Sequence, residues 1–262
     1  MNYWQAIILA VVEGLTEFLP VSSTGHMIIV ANMLGIGQLP FTETYITTIQ
    51  LGAILSVVAL YWRRFLQSFD LYLKLAVAFL PFGILGFLLK DVIAELLKSV
   101  KVVAVSLVLG GIVLLMVDRW FSGLRKQVTT PSFVQALKIG LFQCFALVPG
   151  VSRSAATIVG GLAQGLDRRA AADFSFLLAV PTMVVITGYE LYKAYKINPP
   201  QLDDLYLLFL GNAVAFWVAL LAVRSFIAFI TRYGFRAFGI YRIVLGGLLL
   251  LLLSLGYDLS LL

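Results

Sequence analysis

The sequence predicts an all-α polytopic membrane protein: an inverted repeat in which each half contributes one re-entrant helical hairpin and three transmembrane helices. That makes six full spans and four short re-entrant helices. Three observations predict it. The chain has 262 residues, 61% hydrophobic and only 12% charged, with a mean hydropathy of +1.00, whereas a soluble domain carries about twice that charged fraction. Apolar runs of about twenty residues recur from end to end. Finally, one pattern occurs twice: two short apolar segments broken at a proline, then three long ones. The weak alternating segments of an outer-membrane barrel are absent.

Residues 3–19 are apolar with helical period but too short for an ordinary span, and Pro20 is expected to end that helix. A second short segment, from about Thr24 to Leu34, completes a hairpin with its tip at 20–23. Non-helical backbone at membrane depth requires surrounding protein or a water-filled cavity. After a polar loop (Gly35 to Thr44) comes a span at 45–62, stopped by Arg63 and Arg64. The next, 70–90, contains Pro81, Gly83 and Gly86 and is expected to kink or pack closely there. A linker with Asp91, Glu95, Lys98 and Lys101 leads to a span at 102–121, whose Gly110-Gly111 pair admits a close neighbour. Residues 122–131 form the central loop.

The pattern then restarts, with a short segment at 132–148, a Pro/Gly break at 149–152 and another short segment at 153–166. Long spans follow at 171–194, 204–224 and 237–257. Pro20 and Pro149 are separated by close to half the chain, and aligning them sets Ser23 opposite Ser152 and Glu43 opposite a neighbour of Asp173. Each half has three spans, an odd number, so the second must be inverted relative to the first, and the two hairpin tips can meet from opposite faces. The chain reads as one integral membrane domain (1–262), with repeats at about 1–121 and 132–262.

One face collects Arg63, Arg64, Arg119, Arg125, Lys126, Arg168, Arg169, Arg224, Arg232 and Arg236; the other collects Lys90, Lys98, Lys101, Lys193 and Lys196. The first is cytoplasmic by the positive-inside rule, with both termini outside and the first hairpin entering from the outer side. This rule also accounts for the net charge of +6 without a nucleic-acid partner. The N-terminus lacks the basic flank of a secretory signal. Cys144, the single cysteine, can form no intramolecular disulfide and reads as a packing residue. Tyr189, Tyr192 and Tyr195, with Lys193 and Lys196, suit an interfacial belt.

Glu13, Glu17 and His26 are ionisable groups in apolar surroundings, which by default marks a site. Glu13 and Glu17, spaced i, i+4, project from one helical face. Their repulsion is relieved by a divalent cation, Mg²⁺ or Ca²⁺, by a shared proton, or by pairing with Arg153. Ser22, Ser23 and Thr24 follow the proline break, where hydroxyls cap the next helix and its free N–H groups can hold an anion. His26 can accept or donate a proton near neutrality, or simply bond a neighbouring helix. In the second motif, Arg153 is flanked by Ser152 and Ser154, with Gly150 supplying backbone freedom and Thr157 one turn on. A guanidinium fork with helix N–H groups and hydroxyls makes a diphosphate cradle. No Walker pattern occurs. Glu43, Asp173 and Glu190 read as supporting or interfacial residues.

Glu13-Gly-Leu-Thr-Glu-Phe-Leu-Pro-Val-Ser-Ser-Thr-Gly-His26 and Pro149-Gly-Val-Ser-Arg-Ser-Ala-Ala-Thr157 closely resemble the two signatures of undecaprenyl-diphosphate phosphatases of the bacitracin-resistance type. The likeness extends to Phe174-Ser-Phe-Leu-Leu-Ala-Val-Pro181. The resemblance implies a multi-pass enzyme of the bacterial cytoplasmic membrane that hydrolyses a C55 polyprenyl diphosphate to the monophosphate, recycling the lipid carrier of peptidoglycan synthesis and conferring bacitracin resistance. It implies a site opening to the outer side and dependence on a divalent cation. By motif position its functional residues fall on Glu13, Glu17, Ser23, His26, Ser152, Arg153 and Thr157. The corresponding mechanism has Ser23 attack phosphorus while His26 takes its proton; in a rival version His26 activates water. The alternative function is transport of a polyprenyl phosphate by the same architecture. A homodimer stays open.

Overall fold

The computed structural model describes residues 1–97, 99–121, 128–197 and 202–257. Lys98, Arg125 and Lys126 from the charge comparison, and most of the central loop, lie outside the described residues. Within them the fold is helical, apart from one isolated bridge between Val128 and Leu166. Eleven α-helices follow in order: α1 Tyr3–Thr16, α2 Ser23–Met33, α3 Pro40–Gln67, α4 Phe69–Leu88, α5 Lys90–Leu97, α6 Val100–Trp120, α7 Phe133–Gln143, α8 Arg153–Ala163, α9 Arg168–Ile197, α10 Leu202–Tyr233 and α11 Arg236–Ser254. Six of them (α3, α4, α6, α9, α10 and α11) are long and apolar enough to cross a membrane.

Several boundaries differ from the sequence reading. α1 stops at Thr16, before Pro20, and residues 17–20 form a turn. α3 runs through Arg63 and Arg64 to Gln67, with only Tyr61 leaving helical geometry; arginines at a membrane edge reach polar surroundings without ending a helix. α4 passes through Pro81 uninterrupted. Part of the expected linker is helix α5.

Local features recur at matching positions of the two halves. Asn2 and Gln5 form a capping box on α1, and Ser132 and Gln135 form one on α7. Gln5 Nε2 donates to the Leu34 carbonyl, and Gln135 Nε2 donates to the Gln164 carbonyl. Ser22 and Ser152, each leading into a short helix, are the only non-glycine residues with positive φ among those described, at 69° and 74°. The register is therefore Ser22 with Ser152 and Glu43 with Asp173, shifted by a single position from the proline alignment. The shift arises because Pro20 and Pro149 occupy neighbouring rather than equivalent positions of their turns. Packing alternates likewise: α1 lies along α10, and α7 along α4.

The hairpin tips are held by a residue the sequence reading passed over. Arg242 on α11 is fully buried. Its guanidinium donates to the carbonyls of Pro20 (3.2 Å), Gly150 (2.9 Å), Val151 (2.9 Å), Ser106 (3.2 Å) and Leu107 (3.4 Å). Those of Pro20, Gly150 and Val151 lie in the two non-helical tips, outside any helix ladder, and those of Ser106 and Leu107 lie in α6. Gly110 lets the guanidinium lie against α6, where any side chain would overlap it, and Gly111 meets Gly239 of α11. The glycine pair thus admits a close neighbour, as expected. Because each buried carbonyl left unpaired costs about 1–3 kcal/mol, Arg242→Met should markedly lower the thermal midpoint in detergent, and an unchanged midpoint would remove Arg242 as the clamp.

Candidate active site

The first hairpin breaks after Thr16, and the second after the single 3₁₀ turn Cys144–Leu147. Each resumes as a short helix, α2 or α8, and the N-terminal residues of α8 reach Glu17 and Leu19 of the first hairpin. Ser22 and Ser152 hold the left-handed backbone that turns each chain, a conformation costing on the order of 1–3 kcal/mol for a non-glycine residue. At Gly150, with φ 89°, an added Cβ would strike the Val103 backbone.

Arg153 joins the motifs. Its Nη2 donates to Glu17 Oε1 at 3.1 Å, forming an ion pair with side chains 9% and 6% exposed. Its Nη1 donates to the Ser175 carbonyl at 3.2 Å, and the guanidinium lies 5.8 Å from the Phe18 ring centroid. Ser23 Oγ donates to the other oxygen of Glu17 at 2.7 Å. Arg153, Glu17 and Ser23 are thereby one connected chain across two hairpins.

His26 is buried but bonded elsewhere. Its Nδ1 lies 2.8 Å from the Ser22 carbonyl, and its Nε2 lies 2.6 Å from the Tyr241 hydroxyl on α11. Ser23 is therefore bonded to Glu17 and not to His26, so the expected Ser23–His26 proton transfer has no such contact. Tyr241 was missed by the sequence reading because a lone tyrosine in an apolar span carries no motif.

The remaining hydroxyls hold the hairpins together. Ser22 makes no side-chain cap on α2, contrary to expectation, and its carbonyl accepts from His26 Nδ1. Ser152 Oγ caps α8 by accepting from Ala155 N at 3.3 Å and lies 3.0 Å from Ser154 Oγ. Ser154 Oγ donates to the Leu19 carbonyl of the first hairpin at 2.9 Å. Thr157 Oγ1 lies 2.6 Å from Ser175 Oγ and donates to the Arg153 carbonyl at 2.9 Å. Thr24 is half-buried at the start of α2.

Three groups at or near the tips are unfinished. Both carboxylate oxygens of Glu13 and the Nε of Arg153 are buried without a hydrogen-bond partner, as is Oε1 of Gln143, the counterpart of Glu13 in the second half. Among the described residues no cluster of three or more His, Cys, Asp or Glu could hold a metal by itself. A partnerless buried carboxylate beside a second one fits a divalent cation that completes its shell with ligand or water oxygens.

The other acidic candidates lie elsewhere. Asp173 accepts from Tyr61 Oη at 2.5 Å and pairs with Arg64 at 3.1 Å. Glu43 is exposed in the first turn of α3. Glu190 pairs with Lys193 at 3.7 Å on the surface. Cys144 donates to the Gly140 carbonyl at 3.4 Å, as a packing residue in a helix can.

Residues 6–248 match the family model described as bacitracin resistance protein BacA. Relatives named undecaprenyl-diphosphatase share 52% identity in Bdellovibrio bacteriovorus, covering 99% of each chain, and 55% in Flavobacterium johnsoniae, covering 96% of each. A further relative so named, from Porphyromonas gingivalis, is 50% identical over 99% of this chain and 100% of its own.

Removing one member of a buried ion pair strands the other charge, at a cost of about 3–5 kcal/mol. Arg153→Met should therefore lower the thermal midpoint, and Arg153→Met with Glu17→Gln should recover much of the loss. A double variant whose loss equals the two single losses added together would show that the residues do not interact.

Proposed function

The chain belongs to the bacitracin resistance protein BacA family, and on that premise we propose that it is an integral membrane hydrolase converting undecaprenyl diphosphate to the monophosphate and phosphate. This regenerates the lipid carrier of peptidoglycan synthesis and underlies bacitracin resistance. The observation that carries the reading is the Arg153–Glu17–Ser23 chain, which puts a guanidinium, a carboxylate and a hydroxyl at the meeting of two buried tips.

The diphosphate docks on Arg153, the N-terminus of α8 beyond Gly150, and the hydroxyls of Ser152, Ser154 and Thr157, with Ser22 and Thr24 on the opposite side. One arm of the guanidinium is bonded to Glu17; a phosphate oxygen takes its place and leaves Glu17 to Ser23. Ser23 Oγ attacks the terminal phosphorus while Glu17, already bonded to it, receives its proton. The bridging P–O bond breaks and undecaprenyl monophosphate leaves. Water then attacks the serine phosphate ester, phosphate departs and the proton returns to Ser23. His26 serves the proton exchange of this cycle. Glu13 and Glu17 would hold a divalent cation, which when bound would neutralise phosphate charge. The prenyl chain stays in lipid, so only the head group enters the polar site.

The architecture is an inverted repeat of re-entrant hairpins in one domain, with halves at about 1–121 and 132–262. The paired recurrence of caps, side-chain bonds and positive-φ serines supports it, as does the crossed packing of α1 on α10 and α7 on α4. Two broken helices meeting mid-membrane suit a site between such repeats. On the positive-inside rule the arginine-rich face is cytoplasmic, which supports a site open to the outer side; the family supports the cytoplasmic membrane. The same repeat supports a second reading, transport of a polyprenyl phosphate, since carriers are built this way.

Purified protein in detergent should release phosphate from undecaprenyl diphosphate, and chelator should suppress the release. Ser23→Ala should lose about a hundredfold or more of kcat. No phosphate release, together with lipid crossing sealed liposomes, would overturn the hydrolase in favour of transport. Glu13→Gln should abolish any rise in thermal midpoint produced by Mg²⁺ or Ca²⁺; a rise equal to wild type would remove Glu13 from the cation site.

A further inference from the structure

We propose that Tyr241 is a positioning residue that holds the sole histidine in one tautomer and forms its route of proton exchange, an inference resting on the catalytic reading of His26. A carbonyl oxygen can only accept a hydrogen bond, so the 2.8 Å contact from His26 Nδ1 to the Ser22 carbonyl requires hydrogen on Nδ1. In the neutral ring Nε2 then carries the lone pair. The Tyr241 hydroxyl, 2.6 Å away, donates to it. The two rings are near-parallel, at 5° with centroids 5.6 Å apart, so the side chains are aligned as well as bonded.

Both ring nitrogens are thus engaged, one by the backbone of the first hairpin's turn and the other by α11. The Ser22 carbonyl belongs to the strained residue that turns the chain, so the Nδ1 contact is part of the hairpin and cannot swing away without remaking it. Proton exchange at His26 must then pass through Tyr241. As the phenol passes its hydrogen to Nε2, its oxygen takes a proton from a protonated phosphate oxygen or a hydronium ion on its open side, leaving that donor as its conjugate base. The net result is an imidazolium and an unchanged tyrosine. Tyr241 is suited to this position because it is partly exposed while His26 is buried. The neighbouring Arg242 clamps both hairpin tips, so α11 sets the histidine and the tips from adjacent residues.

His26 is the only histidine in the chain, so labelling histidine ring nitrogens with ¹⁵N gives a single pair of signals. Wild type should show a protonated Nδ1 and an unprotonated, hydrogen-bonded Nε2. A protonated Nε2 with a bare Nδ1 would overturn the proposal without any variant. Tyr241→Phe keeps the stacked ring and removes only the hydroxyl. It should move the Nε2 signal, mix in the second tautomer, and lower kcat about tenfold or more with KM within about twofold, the pattern of a group acting after substrate binds. A Phe variant with the wild-type ring spectrum, or with wild-type turnover whatever its spectrum, would overturn the positioning role. His26→Gln, assayed beside it, separates the two layers. Full turnover in that variant would defeat the catalytic reading of His26, whereas lost turnover there with full turnover in Tyr241→Phe would defeat this proposal alone.

Discussion

The ion pair between Arg153 and Glu17 is the interaction on which the rest of the site depends. Both partners are almost fully enclosed, where an isolated charge is prohibitively costly and a paired one survives only with further hydrogen bonds. Those bonds are supplied by the Ser175 carbonyl on one side and the Ser23 hydroxyl on the other. The pair spans the two motifs, so neither hairpin can carry its charge alone. The guanidinium is held in place, with one arm on Glu17 and the other on the Ser175 carbonyl.

Around this pair caps, side-chain bonds and positive-φ serines recur at matching positions of the two halves, but the chemistry does not. Counterparts in the Ser22–Ser152 register share caps and backbone turns, yet Glu13 stands against Gln143, Ser23 against Arg153, and His26 against Ala156. One half has kept the carboxylates, the hydroxyl and the imidazole; the other has kept the cation. Opposite charges are thereby supplied from opposite sides of one site, a division that two identical halves could not provide. Arg242 breaks the correspondence again, since its counterpart is Ile112. A single guanidinium serving five carbonyls satisfies both tips at once.

The spans and both motifs were legible because hydropathy and two long polar stretches are local signals. Helix ends were less so: Pro20 and the Arg63-Arg64 pair read as stops, yet α1 ended earlier and α3 later, where packing and snorkelling overrode local preference. The proline alignment missed the repeat by a single position. The capping boxes at Asn2–Gln5 and Ser132–Gln135 carried the correct spacing and were readable in the sequence. Arg242 was also readable in principle, as a charge inside a span is a signal of function or support. Tyr241 was not, since its role depends on α11 lying beside α2. Ser23 bonds Glu17 rather than His26, whose ring lies between the Ser22 carbonyl and Tyr241; sequence spacing alone does not reveal that arrangement.

The measurement that tests the central claim most directly is a double-mutant cycle on phosphate release under single-turnover conditions, with Ser23→Ala in one hairpin and Arg153→Lys in the other. Residues that act as one catalytic unit are strongly non-additive. If the two tips form a single site, the double variant should be scarcely slower than the slower single variant. A double variant slowed by the product of the two single effects would contradict a shared site and would place serine and arginine in separate roles.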